Sequence, residues 1–165
     1  HPHPIITAVN GIAAGAGCSF ALLGDMIIAT EDAYFLQAFR RIGLVPDAGS
    51  TYILARTLGR ARAMEMTLMG DKIPAEQAKA WGLINEVVPS DELMPRAMEI
   101  AHKLADGPTL ALGQIRKLIW DAQQADLSTT LHNERIAQRI AGQTSDFKEG
   151  VSAFLEKRPT EFTGN

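Results

Sequence analysis

The stretch from Ile5 to Cys18 constrains the fold more than any other part of the chain. Ile5-Ile6-Thr7-Ala8-Val9 is a short apolar run rich in β-branched residues, closed by Asn10-Gly11, which predicts a buried strand and then a turn. The next residues, Ile12-Ala13-Ala14-Gly15-Ala16-Gly17-Cys18, form a glycine- and alanine-rich loop that leads into a short helix over 17–23, stopped by Gly24. A chain that passes from buried strand through a small-residue loop into a helix is committed to an α/β core.

The rest of the first half keeps to that plan. Met26 to Ala29 and Ala33 to Leu36 predict two more short strands around the polar Thr30-Glu31-Asp32. Pro46 bars a helix interior, so Asp47 falls where an N-cap belongs, ahead of a helix over 48–58 that Gly59 ends. Helices over 60–69 and 74–81 and a strand over 83–88 complete this part. From Ser90 the helical period takes over. Leu93, Ala97, Ile100, Ala101 and Leu104 share one face of a helix, and further helices are predicted from Pro108 to about Gln124, from Leu127 to about Ala141 and from Asp146 onward. The polar end after Pro159 reads as a tail.

Composition narrows the function. With 46% hydrophobic and 21% charged residues, the 165-residue chain is that of an ordinary folded domain. A net charge of -3 removes the basic field that nucleic-acid and anionic-membrane binders use, so no nucleic-acid or membrane partner is expected. The apolar stretch 12–23 is too short and too interrupted by glycine to cross a bilayer. The single Cys18 fits a reducing, cytoplasmic setting. The chain opens His1-Pro2-His3-Pro4 straight into a strand, which reads as a protein entered midway.

Three features could carry chemistry. Backbone amides of the glycine loop, at the start of a helix, can face an anion or an oxygen becoming one; a tight turn that needs glycine for packing is the other reading. Asp47, among Leu44-Val45-Pro46 and Ala48-Gly49, could take and return a proton near neutrality if buried, or could simply cap its helix. At the basic end, Phe154 with Lys148 and Lys157-Arg158 could hold a nucleotide-like group, or form a solvated helix face. Other chemistries lack their patterns. The spacing Gly11-x-x-x-Gly15-x-Gly17 is not a dinucleotide fingerprint, no Walker lysine follows, and neither HExxH, CxxC nor GxSxG occurs. The four histidines have no metal-ligand spacing, so no metal is expected. Cys18 suits packing better than nucleophilic attack, and Met64, Met66 and Met69 suit helix packing.

These residues resemble the crotonase (enoyl-CoA hydratase/isomerase) superfamily. The likeness runs through Pro4 to Gly11 with Ala13 to Cys18, Ile42 to Thr51, Leu68-Met69-Gly70 with Ala75, Ala78 and Gly82-Leu83, and Glu149 to Arg158. Within it, Ala38-Phe39, Gly43 to Asp47, and Lys157-Arg158-Pro159 with Phe162-Thr163-Gly164 look most like the ring-epoxyphenylacetyl-CoA isomerase subgroup. The resemblance implies a spiral of ββα units over 1–89 and a helical oligomerisation region over 90–165 that forms homotrimers or hexamers. It also implies that about the first third of a typical member is missing.

For the site, the resemblance implies an oxyanion loop of Gly15, Ala16 and Gly17, with the Ala16 amide as one of two donors to the thioester oxygen. Asp47 is then the acid/base that shifts a double bond, or rearranges a ring epoxide, in an acyl-CoA. Ser19 and Phe39 line the substrate pocket, Phe154 and Lys157 meet coenzyme A, and no cofactor is needed because coenzyme A is part of the substrate. Relatives that hydrate carry two glutamates where this chain has Ser19 and Phe39, which counts against hydration. A hydratase and a non-catalytic acyl-CoA-binding or assembly module are the alternatives.

Overall fold

The computed structural model describes residues 2–165. Two compact units are distinguished, Ile5–Met98 and a helical unit of Glu99–Asn165 with residues 2–4, and the division falls inside one helix.

In the first unit the chain visits two small sheets in turn. Strand β1 (Ile6–Val9) lies in one sheet; Gly11 turns the chain into β2 (Ile12–Ala14) in the other, and helix α1 (Ala16–Ala21) carries it back. Strands β3 (Met26–Thr30) and β4 (Tyr34–Leu36) repeat the circuit, each parallel to its predecessor, with Ile6 opposite Met26 and Ile12 opposite Tyr34. This is the spiral of ββα turns. A 3-10 turn (Ala38–Ile42), helices α2 (Ser50–Thr57) and α3 (Gly59–Met64) and a π-type turn (Glu65–Met69) come next. The short β5 (Ile73–Pro74) then pairs antiparallel with β4, α4 (Ala75–Ala80) crosses, and β6 (Glu86–Val88) adds a parallel edge to β3.

The core sits where the two sheets meet their helices. Ile28, Phe35, Leu54 and Met66 are all but wholly buried, and Ile27, Leu36, Ile73, Leu83 and Ile84 surround them. Of the three methionines expected to pack, only Met66 does; Met64 and Met69 are exposed. Residues two apart stand on opposite sides of a helix, so Met64 cannot share the buried face of Met66, and the wider winding of the π-type turn carries Met69 away from that face.

Of the face its periodicity predicts, helix α5 (Leu93–Ala105) buries Leu93, Ala97 and Ile100 and leaves Ala101 and Leu104 half-buried. Helices α6 (Thr109–Ala122), α7 (Leu127–Ala141) and α8 (Ser145–Glu156) make up the remainder of the helical unit. Asp126 caps α7 by accepting from the Thr129 amide at 2.8 Å, and Thr144 caps α8 through the Phe147 amide at 3.0 Å.

The polar end is not a loose tail. Lys157 ends α8 in a left-handed conformation, and the chain doubles back along the helix as a strap. Arg158 reaches both oxygens of Glu149 at 2.6 and 2.8 Å, and the Glu161 amide donates to the same carboxylate at 2.9 Å. The buried Asp146 carboxylate accepts from the Thr163 and Gly164 amides at 2.7 and 2.9 Å, and the Asp146 amide donates to the Asn165 carbonyl.

The clamp has a pH signature. Hydrogen bonds from Arg158, and then from the Glu161 amide, bring the Glu149 carboxyl from 4.5 down to about 2. A depressed carboxyl stabilises the fold fully above its unfolded range and loses that contribution as pH falls through the folded value. The Glu161 amide resonance is therefore expected to stay put above pH 4.5 and to move as pH approaches 2, and Arg158→Met brings that movement up toward 4.5. An identical titration in the variant would rule the clamp out.

Candidate active site

The glycine loop is pinned at one peptide. Gly15 has φ 55° and ψ −126°, a conformation in which a side chain is strained. Its N–H donates to the Leu36 carbonyl at 2.8 Å, and its carbonyl accepts from both the amide and the hydroxyl of Ser19, at 3.0 and 3.3 Å. Held on both sides, Gly15 sets the direction of α1. Ala16 comes next as the first helical residue, so its N–H has no acceptor within the helix, and no side chain caps it. Ala16 and Gly17 are exposed, while Ser19 is wholly buried and Phe39 nearly so. The Phe39 ring edge lies 4.0 Å from where a Cβ on Gly15 would stand. Ser19 and Phe39 thus support the loop from beneath.

The two glycines of this loop differ. Gly15 needs its backbone freedom; Gly17 is an ordinary helical residue, and a Cβ there would meet nothing within 4 Å. Gly15→Ala is expected to cost about 1–3 kcal/mol in chemical unfolding, whereas Gly17→Ala should be neutral or gain up to about 1 kcal/mol from helix propensity. Equal losses would mean that close packing explains both glycines.

Cys18 is fully buried, and burial pushes its thiol up to about 11 against smaller opposing hydrogen bonds from the Leu36 backbone and the Gln37 side chain. It is a packed thiol at neutral pH, and nucleophilic attack from it has no support.

Asp47 does not cap a helix. Helix α2 begins at Ser50, not at Ala48, and has Gly49 at its N-cap with no side-chain bond. The reason is local: Ala48 and Gly49 both take positive φ, 48° and 79°, which interrupts helical winding before it starts. Instead the main-chain carbonyl of Asp47 accepts from the Ser50 amide at 3.0 Å and hydroxyl at 2.9 Å. Among the described residues no donor meets the carboxylate itself. The burial on which the sequence reading made its proton transfer depend is not present, for Asp47 is exposed. Before it in the chain Ile42, Leu44 and Val45 are exposed by 73%, 59% and 79%, so the segment that carries the carboxylate exposes apolar side chains. Keeping a non-glycine residue such as Ala48 left-handed costs on the order of 1–2 kcal/mol, and strain of this kind gathers at functional sites. Helices α1 and α2 pack against each other, so Ala16 and Asp47 stand on the approaches to two neighbouring helices.

Phe154 and Lys157 belong to the helical unit. Phe154 is 82% exposed at the end of α8, and Lys157 has no anionic partner among the described residues. Arg158 is different, being engaged by Glu149 and Glu156. The basic end therefore divides into one cation that holds the strap, Arg158, and two that are exposed, Lys148 and Lys157. Among the described residues no three metal-ligating side chains cluster, and no helix is long and apolar enough to cross a membrane.

Sequence reasoning missed the positive φ of Ala48, for which composition offers no signal, and the role of the Leu36 carbonyl as the anchor of Gly15. That anchor depends on a register between β2 and β4 that local pattern does not specify.

Comparison with known proteins places these features in context. The model of the enoyl-CoA hydratase/isomerase family matches residues 1–165. The chain is 50% identical over 163 residues to the 1,2-epoxyphenylacetyl-CoA isomerase of Escherichia coli K12, covering 99% of this chain and 62% of that protein. It is 40% identical to the 2,3-dehydroadipyl-CoA hydratase of the same organism, covering 98% and 63%. A solved enoyl-CoA hydratase from Bacillus anthracis superposes with a TM-score of 0.95 at 38% identity, over 99% of this chain and 64% of that one. The chain thus spans less than two thirds of each of these proteins.

Proposed function

This chain belongs to the enoyl-CoA hydratase/isomerase family, and from that premise we propose that it is part of an isomerase that shifts a double bond, or rearranges a ring epoxide, in an acyl-CoA thioester. The observation that carries the reading is the Asp47 carboxylate, engaged by no neighbour among the described residues and presented on a strained loop that exposes apolar residues. A carboxylate without a structural duty is available to take and return a proton.

In this reading Asp47 removes a proton from the carbon next to the thioester or from its vinylogous position. The electron pair moves onto the thioester oxygen, and the enolate is held by the Ala16 N–H as one of two donors. Asp47 then gives the proton back at the other end of the conjugated system, so the double bond moves and no atom is gained or lost. One such donor contributes about 3 kcal/mol to the transition state. Coenzyme A enters as part of the substrate, with Phe154 and Lys157 as its contacts, and no separate cofactor is required. The helical unit is the part proposed to assemble trimers or hexamers, and a cytoplasmic setting fits a single packed thiol.

Ser19 and Phe39 favour this reading over hydration. Neither is a carboxylate, the Ser19 hydroxyl is committed to the Gly15 carbonyl, and a phenyl ring cannot activate water. The test uses the full-length protein in deuterated water with 3-hexenoyl-CoA and crotonyl-CoA. Conjugated product carrying deuterium at the α or γ carbon, with little hydration of crotonyl-CoA, is expected. Robust hydration would replace the reading with a hydratase, and tight acyl-CoA binding without turnover would replace it with a binding module.

A further inference from the structure

Arg40 and Arg41 lie on the 3-10 turn that leads into the Asp47 loop, and both guanidinium groups donate to the end of another element. Arg40 Nη1 meets the Met69 carbonyl at 2.6 Å and Arg41 Nη2 meets the Gly70 carbonyl at 2.8 Å. Those carbonyls close the π-type turn, where unpaired oxygens carry partial negative charge and welcome a cation. Gly70 matches the arrangement in two ways. Its φ of 63° suits glycine, and an added Cβ would stand only 2.9 Å from Cγ and Cδ of Arg40, so the aliphatic stem of Arg40 crosses in the space a side chain would fill.

The clamped turn supports one end of the loop. The Gly43 amide donates to the Arg40 carbonyl at 3.2 Å and the Leu44 amide to the Phe39 carbonyl at 3.0 Å. At the far end the Asp47 carbonyl is caught by Ser50, which is wholly buried. Between these two anchors, from Val45 to Pro46, no hydrogen bond holds the chain among the described residues. The loop is a bridge, and the place of the Asp47 carboxylate is set by its two abutments. Core packing of α2, through Ile53 and Leu54, fixes one of them. The other is exposed beyond Phe39 and depends on the arginines.

We infer that Arg40 and Arg41 are positioning residues for Asp47: they fix the turn from which its loop departs and so set where the carboxylate meets the reacting carbon. The inference rests on the proposed role of Asp47. An acid/base group displaced by about 1 Å can lose up to about a hundredfold in rate while substrate binding is spared. The Arg40→Met/Arg41→Met double variant of the full-length protein should therefore show kcat for 3-hexenoyl-CoA reduced by about tenfold or more, with KM within about twofold. Gly70→Ala, which displaces Arg40 without removing it, should reproduce the same split, and Arg40→Lys/Arg41→Lys should recover part of the lost kcat.

A fall smaller than tenfold in the folded double variant, or one matched by a rise in KM, overturns the inference. Wild type and Asp47→Asn are measured beside it. If wild type does not turn over, or Asp47→Asn is as fast, the reading of Asp47 fails and the inference with it. A slow Asp47→Asn beside full-speed arginine variants sinks the inference alone.

Discussion

Asp47→Asn in the full-length protein is expected to lower kcat for double-bond migration by about a hundredfold to ten-thousandfold while leaving acyl-CoA affinity within about twofold. The amide has the shape of the carboxylate but cannot accept a proton at neutral pH. The structure makes this substitution a clean one. Asp47 is exposed, its carboxylate bonds to no described residue, and its tie to Ser50 runs through the main-chain carbonyl, which the substitution keeps. Surface changes of this kind move stability by no more than about 0.5 kcal/mol, so a loss of rate cannot be mistaken for a loss of fold. Steady-state kinetics with a 3-enoyl-CoA and calorimetric binding of a saturated acyl-CoA measure the two quantities. Undiminished turnover by the variant would remove Asp47 from the chemistry.

The largest effect on stability is expected at Asp146. The residue is 4% exposed, and its carboxylate accepts two backbone amides, from Thr163 and Gly164. Hydrogen bonds to a charged group are worth about 1.5–3 kcal/mol each, and amides released from it regain part of that from water. Asp146→Ala should therefore cost about 2–4 kcal/mol in denaturant unfolding and speed hydrogen exchange at Thr163 and Gly164. Asp146→Asn, which keeps one accepting oxygen, should cost less. Unchanged unfolding together with protected amides at those two residues would show that the strap is held by something else.

These two residues also mark what the sequence could and could not reveal. Elements held by their own periodicity were legible: the face of Leu93, Ala97 and Ile100 is buried, and α7 occupies Leu127–Ala141. Elements held by partners far along the chain were not. Strand β2, Ile12–Ala14, contains two alanines and no alternation, and only its pairing with Tyr34–Leu36 makes it a strand. Strand β5 is two residues long and includes a proline. The strap looks like a polar tail because its order comes from main-chain amides bound to Asp146 and Glu149, which a hydrophobic pattern does not register. At the site, the sequence singled out Asp47 and the Gly15–Gly17 loop. It assigned Asp47 a capping alternative, however, that the positive φ of Ala48 removes.

The parallel order β1-β3-β6 bears on how the chain is made. Ile6 pairs with Met26, a short way along the chain, whereas Ile28 must wait for Glu86. Closing the longer segment costs only about 1 kcal/mol more entropy, but on a ribosome adding about 5–20 residues each second it also imposes a delay of seconds. Throughout that interval the outer edge of the Ile27-Ile28 strand is bare, which makes the half-synthesised chain a target for chaperones and a hazard for aggregation.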